Sequence, residues 1–105
     1  MNANDIDLAA VPRPETGAVG RLVEDGAVVV IPQTGKVQVL NEIGARIWSL
    51  ADGTRTVNEI VEAIIAEYDA GRLQVEADTA AFLGTLADKG ALTFQASGDA
   101  QVEQA

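Results

Sequence analysis

Residues 28–50 read VVVIPQTGKVQVLNEIGARIWSL, and the apolar period changes within them. Val28, Val29, Val30 and Ile31 are β-branched throughout, the composition of a strand covered on both faces. Pro32 ends that run, because proline cannot donate to a ladder. Gln33-Thr34-Gly35-Lys36 reads as a turn. Val37-Gln38-Val39-Leu40 then alternates, with Val37 and Val39 on one face and Gln38 on the other. At Asn41 the period becomes helical: an asparagine suited to the N-cap precedes Ile43, Ile47 and Leu50, and Asp52-Gly53 stops the helix.

The same reading extends in both directions. Upstream, Val19–Glu24 and Ala27–Ile31 are β-rich runs split by Asp25-Gly26, a hairpin signal, so three consecutive strands form an antiparallel meander. Downstream, Thr56-Val57-Asn58-Glu59 is a capping box, in which threonine and glutamate satisfy each other's free backbone donors. Val57, Ile60, Val61, Ile64, Ile65 and Tyr68 follow as one wide apolar stripe. Asp69-Ala70-Gly71 breaks this second helix. A third is expected over Val75–Lys89, with Val75, Thr79, Phe82, Leu83 and Leu86 inward and Gly90 at its C-terminal end. Ala91–Phe94 is a candidate closing strand.

The resulting order, β-β-β-α-α-α, predicts an α+β fold: a winged helix-turn-helix with a three-stranded antiparallel meander followed by three helices. The 105 residues suit one domain, expected over residues 19–95. Residues 1–18, with Pro12 and Pro14 among small and polar neighbours, read as a flexible N-terminal arm, and residues 96–105 as a disordered tail.

Composition excludes most chemistry. The chain has neither histidine nor cysteine, so the usual general bases, metal ligands, disulfides and thiolate nucleophiles are missing. No catalytic residue, metal site or cofactor is expected. Sixteen carboxylates against seven basic residues give a net charge of -9, which repels nucleic acid and anionic membranes. The third helix carries Glu76, Asp78 and Asp88 against Lys89, the wrong sign for a DNA recognition helix. No secretory signal and no run long enough to span a bilayer is visible, so the cytoplasm is the expected compartment.

The remaining side chains of note have structural readings. Glu59 belongs to the capping box, and Glu62 and Glu76 read as solvated helix faces. Gly44 and Gly84, which cost about 1 kcal/mol each relative to alanine inside a helix, read as points of close packing. Trp48, the single tryptophan, reads as a packing residue. One feature points to binding. The third strand ends the meander and has a free edge, blunted by its shortness and by Lys36, to which an extended peptide could add beside a neighbouring helix.

Leu40-Asn41-Glu42-Ile43-Gly44-Ala45-Arg46-Ile47-Trp48, followed by Asp52-Gly53-Thr54-Arg55-Thr56-Val57, resembles the PqqD family, named after a pyrroloquinoline quinone biosynthesis protein. Asp78 through Phe82-Leu83, then Leu86 and Lys89-Gly90-Ala91-Leu92, is similar to that family's C-terminal pattern, so the likeness covers residues 20–92. The resemblance implies a non-catalytic peptide-recognition domain. It would bind the leader of a ribosomally made precursor peptide and present it to a modifying enzyme, often a radical S-adenosylmethionine enzyme. It also implies that the leader adds to the third strand and lies against the third helix. On this sequence the strand side is Lys36, Val37, Gln38, Val39 and Leu40. The groove-facing helix residues are taken to be Asp78, Ala81, Thr85 and Lys89. The alternative is an acidic winged-helix interaction module outside peptide modification, such as a homodimer closed through the same edge.

Overall fold

The computed structural model describes residues 7–95. In chain order these form strands β1 (Val11–Pro14), β2 (Val19–Val23), β3 (Gly26–Val30) and β4 (Val37–Leu40), helices α1 (Glu42–Leu50), α2 (Val57–Tyr68) and α3 (Arg72–Asp88), and strand β5 (Leu92–Gln95). The sheet order β2-β3-β4 is the expected antiparallel meander, and three helices follow it. The α+β fold read from the sequence is the one observed.

The helix starts are built as their sequences dictate. Asn41 Oδ1 accepts the Gly44 N–H at 2.8 Å. Thr56 Oγ1 accepts the Glu59 N–H at 3.1 Å, while Glu59 Oε1 accepts the Thr56 N–H at 2.8 Å, completing the capping box. Helix α3 starts at Arg72 rather than Val75. Arg72, Leu73 and Gln74 are good helix formers, and Arg72 bridges Glu62 of α2 at 2.9 Å and Glu76 at 3.2 Å, tying that extra turn down.

The helices cover only one side of the meander. Ala27, Val29, Ile31 and Leu40 face them and are buried with Ile60, Val61, Leu83 and Leu86. Val28 is only half-buried, and Val30 is exposed with Val37 and Val39. The strand expected to be covered on both faces is therefore covered on one. A β-branched run signals a strand but does not say how many layers lie over it.

The hairpin turn is also displaced. Val23 pairs with Gly26, which leaves Glu24-Asp25 as the turn and puts Gly26 inside β3. Glycine is required there because a Cβ would collide with the backbone carbonyl of Leu40, where β4 passes. The glycine of that dipeptide serves strand packing, not turn geometry.

The larger correction concerns the N-terminal segment. Residues 11–14 are not a flexible arm: β1 pairs with β5 in a two-stranded ribbon, Val11 opposite Gln95 and Pro14 opposite Leu92. Pro12 is fully buried. The backbone just before β1 also completes the cap of α2, since Val57 N–H donates to the Ala10 carbonyl and Asn58 N–H to the Leu8 carbonyl, both at 2.9 Å. Those amides belong to the first helical turn and have no partner within the helix. Prolines are compatible with such a ribbon because each of its strands has an open edge. The expectations for residues 1–6 and 96–105 lie outside the described residues.

Candidate functional site

The direction of each β4 amide follows from one bond and the ladder. The Ile31 N–H donates to the Lys36 carbonyl at 2.8 Å, so Ile31 points its backbone groups toward the incoming strand. Orientation alternates along antiparallel strands. With the register Val29↔Gln38 and Val28↔Val39, the hydrogen-bonded positions of β4 are Gln38 and Leu40. Val37 and Val39 turn their N–H and C=O groups away from β3, to the open edge. The Val39 carbonyl is met there only by its neighbour's side chain, Gln38 Nε2, at 3.5 Å.

Side chains follow the same alternation. Leu40 is buried against the helices and Gln38 half-buried on that side, while Val37 and Val39 are 56% and 71% exposed. The edge thus offers free backbone groups, with two valines standing on its open face.

Helix α3 packs against α2 and β5, and its C-terminal end meets the start of β4 at a shared cleft. Lys36, just before β4, and Val37 and Gln38 of β4 share a cleft of about 300 Å³ with Asp88 and Lys89. A separate apolar cavity of about 230 Å³ lies between the helices, lined by Ile43, Ile47, Ile64, Tyr68, Asp78 and Thr79, among others. Asp78, Ala81, Thr85 and Lys89 are all exposed. Eleven residues of helix turn by three turns and about 20°, so Asp78 and Lys89 lie on one face. Ala81 and Thr85 lie between them on the same stripe.

Among the residues expected from the sequence, Lys36, Val37, Gln38 and Lys89 come together in one cleft. Asp78 borders the second cavity, and Leu40 contributes to the core instead of a surface. The sequence reading missed that second cavity. Ile43, which with Ile47 and Leu50 marks the helical spacing of α1, is partly exposed at the cavity lip. The packing roles given to Trp48 and Gly44 agree with the structure. The indole lies so close to Gly20 that a Cβ there would strike Nε1, and the Phe82 ring lies against Gly44.

Thr79 forms part of the cavity wall and is 1% exposed, and its Oγ1 has no hydrogen-bond partner among the described residues. A buried hydroxyl in that state costs stability. Thr79→Val removes it at nearly constant shape and is expected to raise stability by about 1 kcal/mol. Urea melts with an increased midpoint and an unchanged slope would register this.

Charges that are held in place lie away from the groove. The Arg46 guanidinium grips Glu67 at 2.7 Å and keeps its carboxyl below the usual carboxylate range. The Thr54 hydroxyl does the same for Asp52, with Arg55 assisting. Burial raises the Tyr68 phenol, and the nearby Glu42 adds to the effect. Among the described residues no cluster of three histidine, cysteine or acidic side chains could hold a metal ion, and no helix is long and apolar enough to cross a membrane.

Residues 26–92, which carry the meander from β3 onward and all three helices, match the family model described as coenzyme PQQ synthesis protein D (PqqD). The chain belongs to the PqqD family. A PqqA binding protein from Rhodopseudomonas palustris (strain TIE-1) is 39% identical over 97 residues, covering 89% of this chain and 93% of the relative. Among solved structures, TbiB1 in complex with the TbiA(beta) leader peptide has a TM-score of 0.71 at 39% identity, over 76% of this PqqD-family chain and 93% of that one. The PqqD truncation of Methylobacterium extorquens PqqCD, a recognition element of ribosomally synthesized and post-translationally modified peptides, has a TM-score of 0.73 at 28% identity. That match covers 89% of this chain and 99% of that one.

Proposed function

We propose that this PqqD-family chain binds the leader of a ribosomally made precursor peptide as an added strand on β4 and presents it to a modifying enzyme. The observation that carries the reading is the outward direction of the Val37 and Val39 backbone groups, beside a cleft to which the end of α3 contributes. Strand addition needs such an unpaired edge, and side-chain pockets next to it provide selectivity. The relatives named for binding PqqA, and a similar fold solved with a leader peptide, support a peptide of this class as the ligand.

The domain contributes binding without catalysis. A leader held in extended form is delivered in one orientation, and a separate enzyme, of the radical S-adenosylmethionine type in this reading, performs the chemistry. The acidic surface of α3 disfavours nucleic acid as a competing ligand. Lys36, Val37, Gln38 and Val39 form the strand side of the site, with Leu40 anchoring that strand in the core, and Asp78, Ala81, Thr85 and Lys89 form the helix side.

Titration with the PqqA peptide of Rhodopseudomonas palustris, followed by amide chemical shifts, tests the site. Shifts are expected to cluster at residues 36–40 and 76–89. Shifts concentrated on residues 56–68 would move the site to α2, and a self-association constant unaffected by peptide would favour a dimer interface instead.

A further inference from the structure

The cations of this chain divide into two sets. Arg46, Arg55 and Arg72 are ion-paired with Glu67, Asp52 and Glu62/Glu76, respectively. Among the described residues, Arg13, Arg21, Lys36 and Lys89 have no carboxylate within ion-pair distance, and of these four the fold brings Lys36, just before β4, and Lys89, at the end of α3, to the same cleft. Their sequence separation makes this a product of the tertiary fold. Two ammonium groups facing one cleft repel each other, so an anion between them relieves a cost as well as gaining an attraction. Asp88 lines the same cleft, which leaves a net single positive charge in a chain whose total is -9.

We propose that Lys36 and Lys89 receive one carboxylate side chain of the bound leader, and that this contact sets the leader's register along β4. The inference rests on the strand-addition reading above and names a feature of the peptide it requires. A single carboxylate fits better than a polyanion. The chain's net charge of -9 opposes the approach of a highly charged anion. Asp78 marks the opposite sign on the same face of α3, with its carboxylate held only by Gln74 Nε2 at 2.9 Å. Eleven helical residues rise about 16 Å, the length of about five residues of extended peptide. A leader whose acidic residue meets Lys36 and Lys89 therefore presents the residue about five positions away to Asp78. A second acid there would be disfavoured.

The test measures binding of the Rhodopseudomonas palustris PqqA peptide by calorimetry at about 50 mM and 500 mM salt. Each peptide Asp or Glu is changed in turn to Asn or Gln, against wild-type protein, Lys36→Gln, Lys89→Gln and the double variant. Exposed ion pairs contribute about 0.2–1 kcal/mol each, so each lysine variant should weaken binding up to about fivefold at low salt, and by less at high salt. One peptide substitution should match the loss in the double variant and cause no further loss when combined with it, and Lys36→Arg with Lys89→Arg should restore affinity. If the double variant bound like wild type at both salts, or weakened with no coupling to any peptide acid, the carboxylate contact would be wrong. Strand addition would stand in either case, provided Val37→Pro still weakened binding. Failure of the wild-type protein to bind the peptide at all would overturn both.

Discussion

Gln38→Pro should unfold the meander, whereas Val37→Pro should leave it folded and remove its affinity for a peptide. The two residues are adjacent and both lie in β4, but their amides point in opposite directions. The Gln38 N–H is aimed at Val29, which lies fully buried in β3. Proline at 38 deletes that donor, strands the Val29 carbonyl in the core and inserts a ring between two paired strands. A lost bond with its partner left unpaired costs about 1–3 kcal/mol, and the steric conflict adds to it. Against a total stability of about 5–15 kcal/mol for a small domain, that is a large fraction. Val37 opens the strand and its N–H faces the edge, a position at which proline is tolerated. Its melting temperature should stay within a few degrees of wild type. Peptide binding should fall at least tenfold, equivalent to about 1.4 kcal/mol, because the first backbone bond of the added strand is gone. Thermal melts followed by calorimetry on the folded variant would check both halves. A folded Val37→Pro protein with normal affinity would exclude strand addition at this edge.

Removing residues 1–14 should cost about 5 kcal/mol, enough to leave the domain partly unfolded at 37 °C. The deletion strips β1 from β5, uncovers Leu92 and removes the buried Pro12. Burying one such side chain contributes about 1.5–3 kcal/mol. It also takes away the Leu8 and Ala10 carbonyls that satisfy Asn58 and Val57 at the head of α2, which returns two first-turn amides to water at a net loss of about 0.5–1.5 kcal/mol each. Circular dichroism melts of the full chain and the truncated chain would measure the difference. A truncated protein as stable as the full chain would mean that the ribbon contributes nothing to the fold.

The parts of the fold that were legible in the sequence are those set by local pattern. The switch of period at Asn41, the capping box at Thr56 and the stripe from Val57 to Tyr68 each involve neighbours within a turn or two. The β1–β5 ribbon joins residues 78 to 84 positions apart, and Val11-Pro12-Arg13-Pro14 lacks the alternation of a half-buried strand. Its prolines argued for a loose arm, although prolines suit an edge. The same limit applies to the site. Alternation separated Val37 and Val39 from Gln38, but only the Ile31–Lys36 bond tells which amides face outward. Likewise Lys36 and Lys89 are far apart in the chain, and nothing local indicates that they share a cleft. The cavity beside Ile43 depends on where three helices diverge, which no single helix encodes.

The pairing of Val11 with Gln95 brings the two ends of the folded unit side by side. Anything attached before β1 and anything attached after β5 must therefore leave from the same point. A unit of this shape can be spliced into a loop of a larger protein with little distortion of its host, or have its ends joined and a new opening cut elsewhere. Neither rearrangement needs to disturb the outward amides of Val37 and Val39. The architecture suits a portable module, able to stand alone or to be appended to another domain.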